Sequence, residues 1–401
     1  MVRREGSPPI QVDGTLPGER WRLRVSNRGN VAERVECLEP GPDRVVPECP
    51  LVDACGGCAW QHVSAERQRA ERAERVVRAL PQDVRDVHID TVTSSLRYGY
   101  RTRTRLAWAS AGGSTRVGYR AKRSHDVVDA PQCPVLDERL SASLGALRDE
   151  LASIGGSGEV LLALGSSGAV ASIHPDGAMN DPRTFGIPDR LVARGFEGAR
   201  WWAGGATVPA TAGDPRVSVP HGDATLTLDI DAFAQAHATL NDELVRAVRA
   251  AAASEGKDVL ELFAGGGNFT VALAPGAKQV TAVESDPRSV ASLESNVRER
   301  GLSNVRVVAA DAVEIVRSRR ADVVVLDPPR TGAREVCELL AKSKSKRVVY
   351  VSCDAATLGR DLGILAPRFA LESLTLFEMF PQTPHVEALA VLSVRRTRSP
   401  I

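Results

Sequence analysis

The stretch RVVYVSCDAATLGRDL, Arg347 to Leu362, decides how this chain is read. Its apolar β-formers, Val348 to Val351, run into Ser352 and Cys353, and a helix-compatible segment starts at Asp354. An apolar run of this kind is a buried strand, and such strands belong to α/β sheets. Ligands in those sheets bind just beyond the carboxyl ends of the strands. Cys353 therefore stands where a nucleophile would be delivered.

Upstream the same pattern repeats. KDVLELF, QVTAVE, VRVVAAD and ADVVVLD alternate with helical stretches, and LESLTLFEMF and ALAVLSVRR are expected to close the sheet as an antiparallel pair. The expected fold is α/β, a doubly wound Rossmann-like sheet. Polar residues mark each strand end. Gly-rich AGGGNF, Ala264 to Phe269, lets a ligand approach backbone N–H groups and the start of the next helix. Glu284 ends the second strand about 20 residues further on, where an acid takes the ribose hydroxyls of a nucleoside. Asp311 ends the third, within reach of an adenine ring. The turn lacks GxGxxG spacing, which argues for a single nucleoside such as S-adenosylmethionine over a dinucleotide. Asp327-Pro328-Pro329-Arg330 ends the fourth strand, and its prolines keep Asp327 out of a helix. FPQTPHVEALAVL brings His385 and Glu387 to the last strand. Glu387 precedes an apolar run, so it is expected half-buried with a raised pKa suited to proton transfer.

The N-terminal half carries different signals. Residues 1–45 alternate short apolar pairs with turn residues and suggest a small β-barrel, in which Arg20, Arg22, Arg24 and Arg28 face either solvent or a phosphate backbone. CPLVDACGGCAWQH then sets Cys49, Cys55 and Cys58 at Cys-x5-Cys-x2-Cys, and Gly56-Gly57 lets the loop wrap tightly. Cys133, in APQCPVL, is the candidate fourth ligand. An all-thiolate set admits zinc or an iron–sulfur cluster, and three grouped cysteines with a distant fourth lean to 4Fe–4S. Residues 62–80 form an amphipathic helix of mixed charge. Arg97 to Arg123 holds eight basic and no acidic residues, interleaved with Tyr98, Tyr100, Trp108 and Tyr119. Its alternation predicts a hairpin across Gly112-Gly113 with a basic, aromatic face suited to single-stranded RNA. Residues 136–225 suggest further β structure and no chemistry. His174 and His221 are taken there as surface or turn residues, and Cys37 and Cys337 as bystanders.

Bulk properties set few limits. The chain has 401 residues, 43% apolar and 25% charged, with a net charge of +1, so any polyanion partner must be held by local patches. No run of about 18 apolar residues predicts a membrane span. The start lacks a signal-peptide core, and a reducing cytoplasm follows as the expectation. There the seven cysteines serve as ligands or catalysts rather than disulfides. Three units are expected: a barrel at 1–45, a central cysteine-bearing RNA-binding unit at 46–225, and the α/β unit at 226–401. A monomer is expected.

Taken together, the chain resembles the RNA uracil-5 methyltransferases, which form 5-methyluridine in tRNA and 23S rRNA. The resemblance runs through Pro-Gly-Glu-Arg at Pro17 to Arg20, the four cysteines, Phe233-x-Gln235, ELFAGGGNF, DPPR, Ser352-Cys353-Asp354 and TPHVE. It implies a TRAM-like barrel, a 4Fe–4S cluster on Cys49, Cys55, Cys58 and Cys133, and S-adenosylmethionine held by Gln235, Phe263, Asn268, Glu284, Asp311 and Asp327. It also implies Cys353 as nucleophile and Glu387 as base. There are departures. Asp354-Ala355 stands where Asn-Pro is common and adds a negative charge beside the thiol. Pro384 replaces a usual Gly, and Ala264 a common Cys.

Overall fold

The computed structural model describes residues 10, 12–25, 32–85, 87–177, 181–204, 207–222 and 224–395. Near the N-terminus, β1 (Arg20–Val25) and β2 (Ala32–Glu39) pair antiparallel as a two-stranded ribbon. Among the described residues of this region β1 and β2 form a two-stranded sheet, and the expected barrel reaches into residues outside those described. Arg20, Arg22 and Arg24 form ion pairs with Glu39, Glu36 and Glu33 across the ribbon. Their charge is matched across the ribbon, and all three side chains remain exposed. Arg28 lies outside the described residues.

Helix α1 (Ala65–Ala79) follows, with the Ser64 hydroxyl accepting from Arg67 N as its cap. After a short strand, β3 (Ile89–Val92), comes a seven-stranded sheet. It contains β4 (Arg103–Ala111), β5 (Ser114–Arg120), β6 (Val127–Asp129), β7 (Gly156–Leu164), β8 (Ala169–Pro175), β9 (Gly198–Trp201) and β10 (Ala210–Gly213). β4 and β5 are the expected hairpin, turning through Gly112 (φ +59°) and Gly113 (φ +78°), a conformation that favours glycine at both positions. Helices α2 (Glu138–Ala152) and α3 (Ile187–Ala193) bury Leu140, Leu144 and Leu191 in one core with Leu106, Trp108 and Val117. Strand alternation thus turns Trp108 inward, with Tyr119 packed beside it. Of the aromatics expected to stack RNA bases, Trp108 and Tyr100 are buried and Tyr119 packs against the core, while Tyr98 is half-buried. Arg105 is exposed and pairs with Glu159 at 2.6 Å, whereas Arg103 donates inward to Ile230 O at 2.7 Å.

A second ribbon, β11 (Arg216–His221) with β12 (Ala224–Asp229), leads to α4 (Ala238–Ala252) and the large sheet. The remaining elements alternate: β13 (Asp258–Leu262), α5 (Thr270–Leu273), β14 (Gln279–Glu284), α6 (Pro287–Glu299), β15 (Val305–Ala309), α7 (Ala312–Ser318) and β16 (Val323–Leu326). They continue through α8 (Arg334–Leu340), β17 (Arg347–Ser352), α9 (Ala355–Leu365), β18 (Phe369–Phe377) and β19 (Glu387–Val394). The spatial order is β15-β14-β13-β16-β17-β19-β18-β3. β13 to β17 run parallel and β19 is antiparallel to both its neighbours. Strand order reverses between β13 and β16, so a crevice opens there at the carboxyl ends. One core lies under α1, α8 and α9, and the other under α4 and α5, which is the doubly wound arrangement.

The expected units interlock in space. β3, from the middle of the chain, extends the large sheet beyond β18, and α1 packs on α9. Gly359 permits that contact, since a Cβ there would overlap the Ala79 carbonyl oxygen. Among the described residues no helix is long and apolar enough to cross a membrane.

Candidate active site

The crevice is a cavity of about 610 Å³. It is bounded by Gln235, Phe263, Asn268, Glu284, Asp327, Cys353 and Glu387, so seven of the eight sequence-named site residues of this half share one space. Asp311 does not line it. Its carboxylate caps α7, accepting from Val313 N at 2.7 Å, and that local bond turns it out of the crevice.

The wall at β13 is shaped for close approach by a ligand. Phe263 adopts φ +61°, an uncommon backbone for a bulky side chain and the kind of strain found at functional sites. Gly265, at φ +55°, donates its N–H to Glu284 Oε2 at 2.9 Å. Ser285 N and Asp286 N hold Oε1 at 2.7 and 2.8 Å. Three backbone donors therefore fix the carboxylate at the end of β14. Gly266 leaves a gap that a Cβ would fill against Leu228. Asn268 reaches the cavity, but its amide is engaged in a reciprocal pair with Asn241 at 2.8 and 2.9 Å.

The opposite wall is acidic and dry. Burial pushes the Asp327 carboxyl up to about 7 and raises Glu387 well above the carboxylate range, with Asp327 adding to the effect and Arg330 opposing it. Glu387 is only 2% exposed, more buried than expected, and its Oε1 has no hydrogen-bond partner. A buried carboxyl oxygen left unpartnered is costly and points to a group that arrives with substrate. Burial, with the nearby Glu387 and Asp327 charges, pushes the Cys353 thiol up to about 11. Asp354 follows the thiol directly. Its carboxylate caps α9, accepting from Thr357 N at 2.8 Å.

The loop before β19 carries Phe380 and His385 into the cavity wall, and residues of the N-terminal half hold it. Arg72 donates to Thr383 O at 3.0 Å and Phe380 O at 3.3 Å, and pairs with Glu378 at 3.1 Å. Gln68 bonds Gln382 through both its amide atoms at 2.9 Å. Trp60 N donates to Gln382 O at 2.8 Å, and Tyr100 OH to Pro381 O at 3.0 Å. Sequence reasoning missed this clamp, and also Asp231 and Phe380 in the cavity wall. Only the burial of Gln68 and Arg72 on an otherwise solvated helix marks it, and burial is not visible in sequence. His221, beside the β11–β12 turn as expected, also places its Nε2 2.7 Å from Asn268 O.

A second, smaller cavity collects all four expected ligands, Cys49, Cys55, Cys58 and Cys133. Gly57 N–H points at Cys55 Sγ at 3.3 Å, and the Tyr119 hydroxyl stands 3.9 Å from Cys133 Sγ. Among the described residues no three His, Cys, Asp or Glu side chains are grouped as a single metal ion would need.

An open α/β sheet of this order, with its cavity at the strand reversal, is the fold of Rossmann-like methyltransferases. It matches the Pyrococcus abyssi tRNA (uracil-54, C5)-methyltransferase crystallised with S-adenosyl-L-homocysteine, at TM-score 0.75 and 22% identity over 96% of this chain and 95% of that one. Residues 217–395 match the family model described as tRNA (Uracil-5-)-methyltransferase. Along 95% of its length the chain is 35% identical to the 23S rRNA (uracil(1939)-C(5))-methyltransferase RlmD of Alkalilimnicola ehrlichii, covering 90% of that protein. It is 34% identical to the protein of the same name from Pseudomonas putida, covering 95% of this chain and 88% of that one. The chain belongs to the RNA uracil-5 methyltransferase family.

Proposed function

We propose that the chain methylates C5 of a uridine in structured RNA, and that the RNA is 23S rRNA. The RlmD relatives, similar over nearly the whole chain, support the ribosomal substrate. The observation that carries the chemistry is the single cavity shared by Cys353, Glu387, Gln235 and Asp327.

When bound, S-adenosyl-L-methionine supplies an electrophilic methyl group. Gln235, Phe263, Asn268, Glu284 and Asp327 would hold it, with Glu284 already oriented for ribose hydroxyls. Asp311, committed to its helix, is left out of this set. Uracil C5 is a poor nucleophile. Cys353 Sγ adds to C6, and the C5–C6 π pair moves into an enolate that makes C5 reactive. After C5 is methylated, Glu387 takes the C5 proton, the double bond re-forms and the C6–S bond breaks. A dry carboxylate with a raised pKa is a strong base for that step. The uridine must leave its stack to reach the thiol. In this reading Cys49, Cys55, Cys58 and Cys133 hold a 4Fe–4S cluster, and α1 with β3 forms part of the catalytic body.

Two variants and one mapping experiment test the reading. Cys353→Ala is expected to cut labelled methyl transfer to 23S rRNA by roughly 10³-fold or more, as loss of a nucleophile does. Glu387→Gln is expected to accumulate a covalent protein–RNA adduct that survives denaturing electrophoresis. Retained turnover in Cys353→Ala overturns the nucleophile. Mass spectrometry finding the missing 5-methyluridine of a deletion strain in tRNA rather than 23S rRNA overturns the substrate.

A further inference from the structure

Arg101 is the one charged side chain among those lining the cysteine cavity. Its Nε is buried and has no hydrogen-bond partner. No carboxylate pairs with it among the described residues, whereas Arg72, Arg105 and Arg200 each pair with Asp or Glu. The backbone gives it no freedom to leave. Arg101 N donates to Val135 O at 2.9 Å, two residues from Cys133, and Thr102 N donates to Ala236 O at 2.8 Å, next to Gln235. On its far side the guanidinium lies 6.0 Å from the centre of the Phe380 ring, and Phe380 lines the catalytic cavity.

A buried, unpaired cation costs several kcal/mol, so it persists where an opposite charge completes the site. Four thiolates outweigh the positive charge of an iron–sulfur core, so the loaded cavity is anionic. Arginine suits this place because it stays charged when buried and presents several N–H donors to sulfur.

We propose that Arg101 is the charge-compensating residue of the cysteine site, a positioning residue that holds the loaded centre and ties it, through Phe380, to the wall of the catalytic cavity. The inference rests on the four cysteines being cluster ligands. A nearby cation favours the more negative, reduced form of a cluster. Removing it makes the cluster harder to reduce and easier to strip. The link through Phe380 predicts that the same change loosens the pocket.

The test uses the full chain, with the cluster reconstituted without oxygen from iron and sulfide, as wild type, Arg101→Gln and Arg101→Lys. Iron and acid-labile sulfide are counted per chain, the midpoint potential is read by dye-monitored titration with dithionite, and the cluster's lifetime is followed in a chelator. Arg101→Gln is expected to shift the potential to more negative values and shorten the lifetime several-fold, with Arg101→Lys restoring most of both. A raised KM for RNA in Arg101→Gln would accompany the shift. A potential and lifetime equal to wild type in Arg101→Gln overturn the role of Arg101 and leave the cluster standing. Wild type that holds no iron or sulfide overturns the cluster reading and this inference with it. If Arg101→Gln does not fold, Arg101→Lys decides: wild-type-like potential and lifetime support compensation by charge, and total loss of the centre overturns it.

Discussion

Thiols line two cavities of the molecule, and the surroundings differ in sign. In the crevice at the end of β17, one thiol, Cys353, faces two buried carboxyls, Asp327 and Glu387, with Arg330 alongside. In the smaller cavity four thiols face one cation, Arg101, and no carboxylate. Burial raises Cys353 and Cys58 alike, each to about 11. What separates them is the partner each awaits. A lone thiol among acids is held protonated and must lose its proton before it can act as a nucleophile. Thiols arranged around a cation already have part of the charge compensation that a metal centre needs. Burial by itself does not tell a catalyst from a ligand. The sign of the neighbouring charge does.

The two places are also joined. The Gln382 loop that forms one wall of the crevice is bonded by Trp60, two residues after Cys58, and clamped by Arg72. The largest effect expected on this junction comes from Arg72→Leu. It removes the nearest cation of buried Glu378, which keeps only Ser94 N and a longer contact to Arg69, and breaking such a buried pair costs about 3–5 kcal/mol. The denaturation midpoint should fall accordingly, and an unchanged midpoint would mean that the crevice stands without its N-terminal clamp. A smaller effect separates the two thiol environments. Adduct formation needs the Cys353 thiolate and precedes the step of Glu387, and burial pushes that thiol up to about 11, so this step favours high pH. Single-turnover adduct formation should therefore climb by up to about tenfold per pH unit from neutrality upward, until another step limits. A rate that is flat over this range would show that substrate binding, not the resting protein, sets the ionisation. The smallest effect is at the surface. Arg105→Ala removes an exposed pair with Glu159 and should change stability by less than about 0.5 kcal/mol. A marked fall in the salt dependence of RNA binding in that variant would return the hairpin face to the role its composition suggested.

The basic hairpin shows why part of the site was hidden. Alternation along TRTRLAW sets which side chains share a face, and the turn glycines set the hairpin. Which face is covered depends on α2, whose leucines pack there with Leu106 and Trp108. The same sequence would carry a stacking platform had that helix docked elsewhere. Asp311 and Asp354 pose a more local question. A carboxylate at a strand end can serve a ligand or the N–H groups of the following helix, and both residues took the helix.

The sequence by itself determined the parallel strands and the side chains that sit at their ends. Phe263, Glu284, Asp327 and Cys353 reach one crevice because a buried strand followed by a right-handed crossover leaves little choice of where its last residue lies. It also determined the cysteine spacing that lets one loop present three thiols. Only the tertiary structure decided that Gln235 and Glu387 meet that crevice, that β3 and α1 belong with the large sheet, and that Arg101 turns to the cysteines while Arg105 faces water. Those outcomes rest on contacts between segments hundreds of residues apart, such as Gln68 with Gln382. Local propensity carries no record of such pairings, because their energy exists only once the chain is folded.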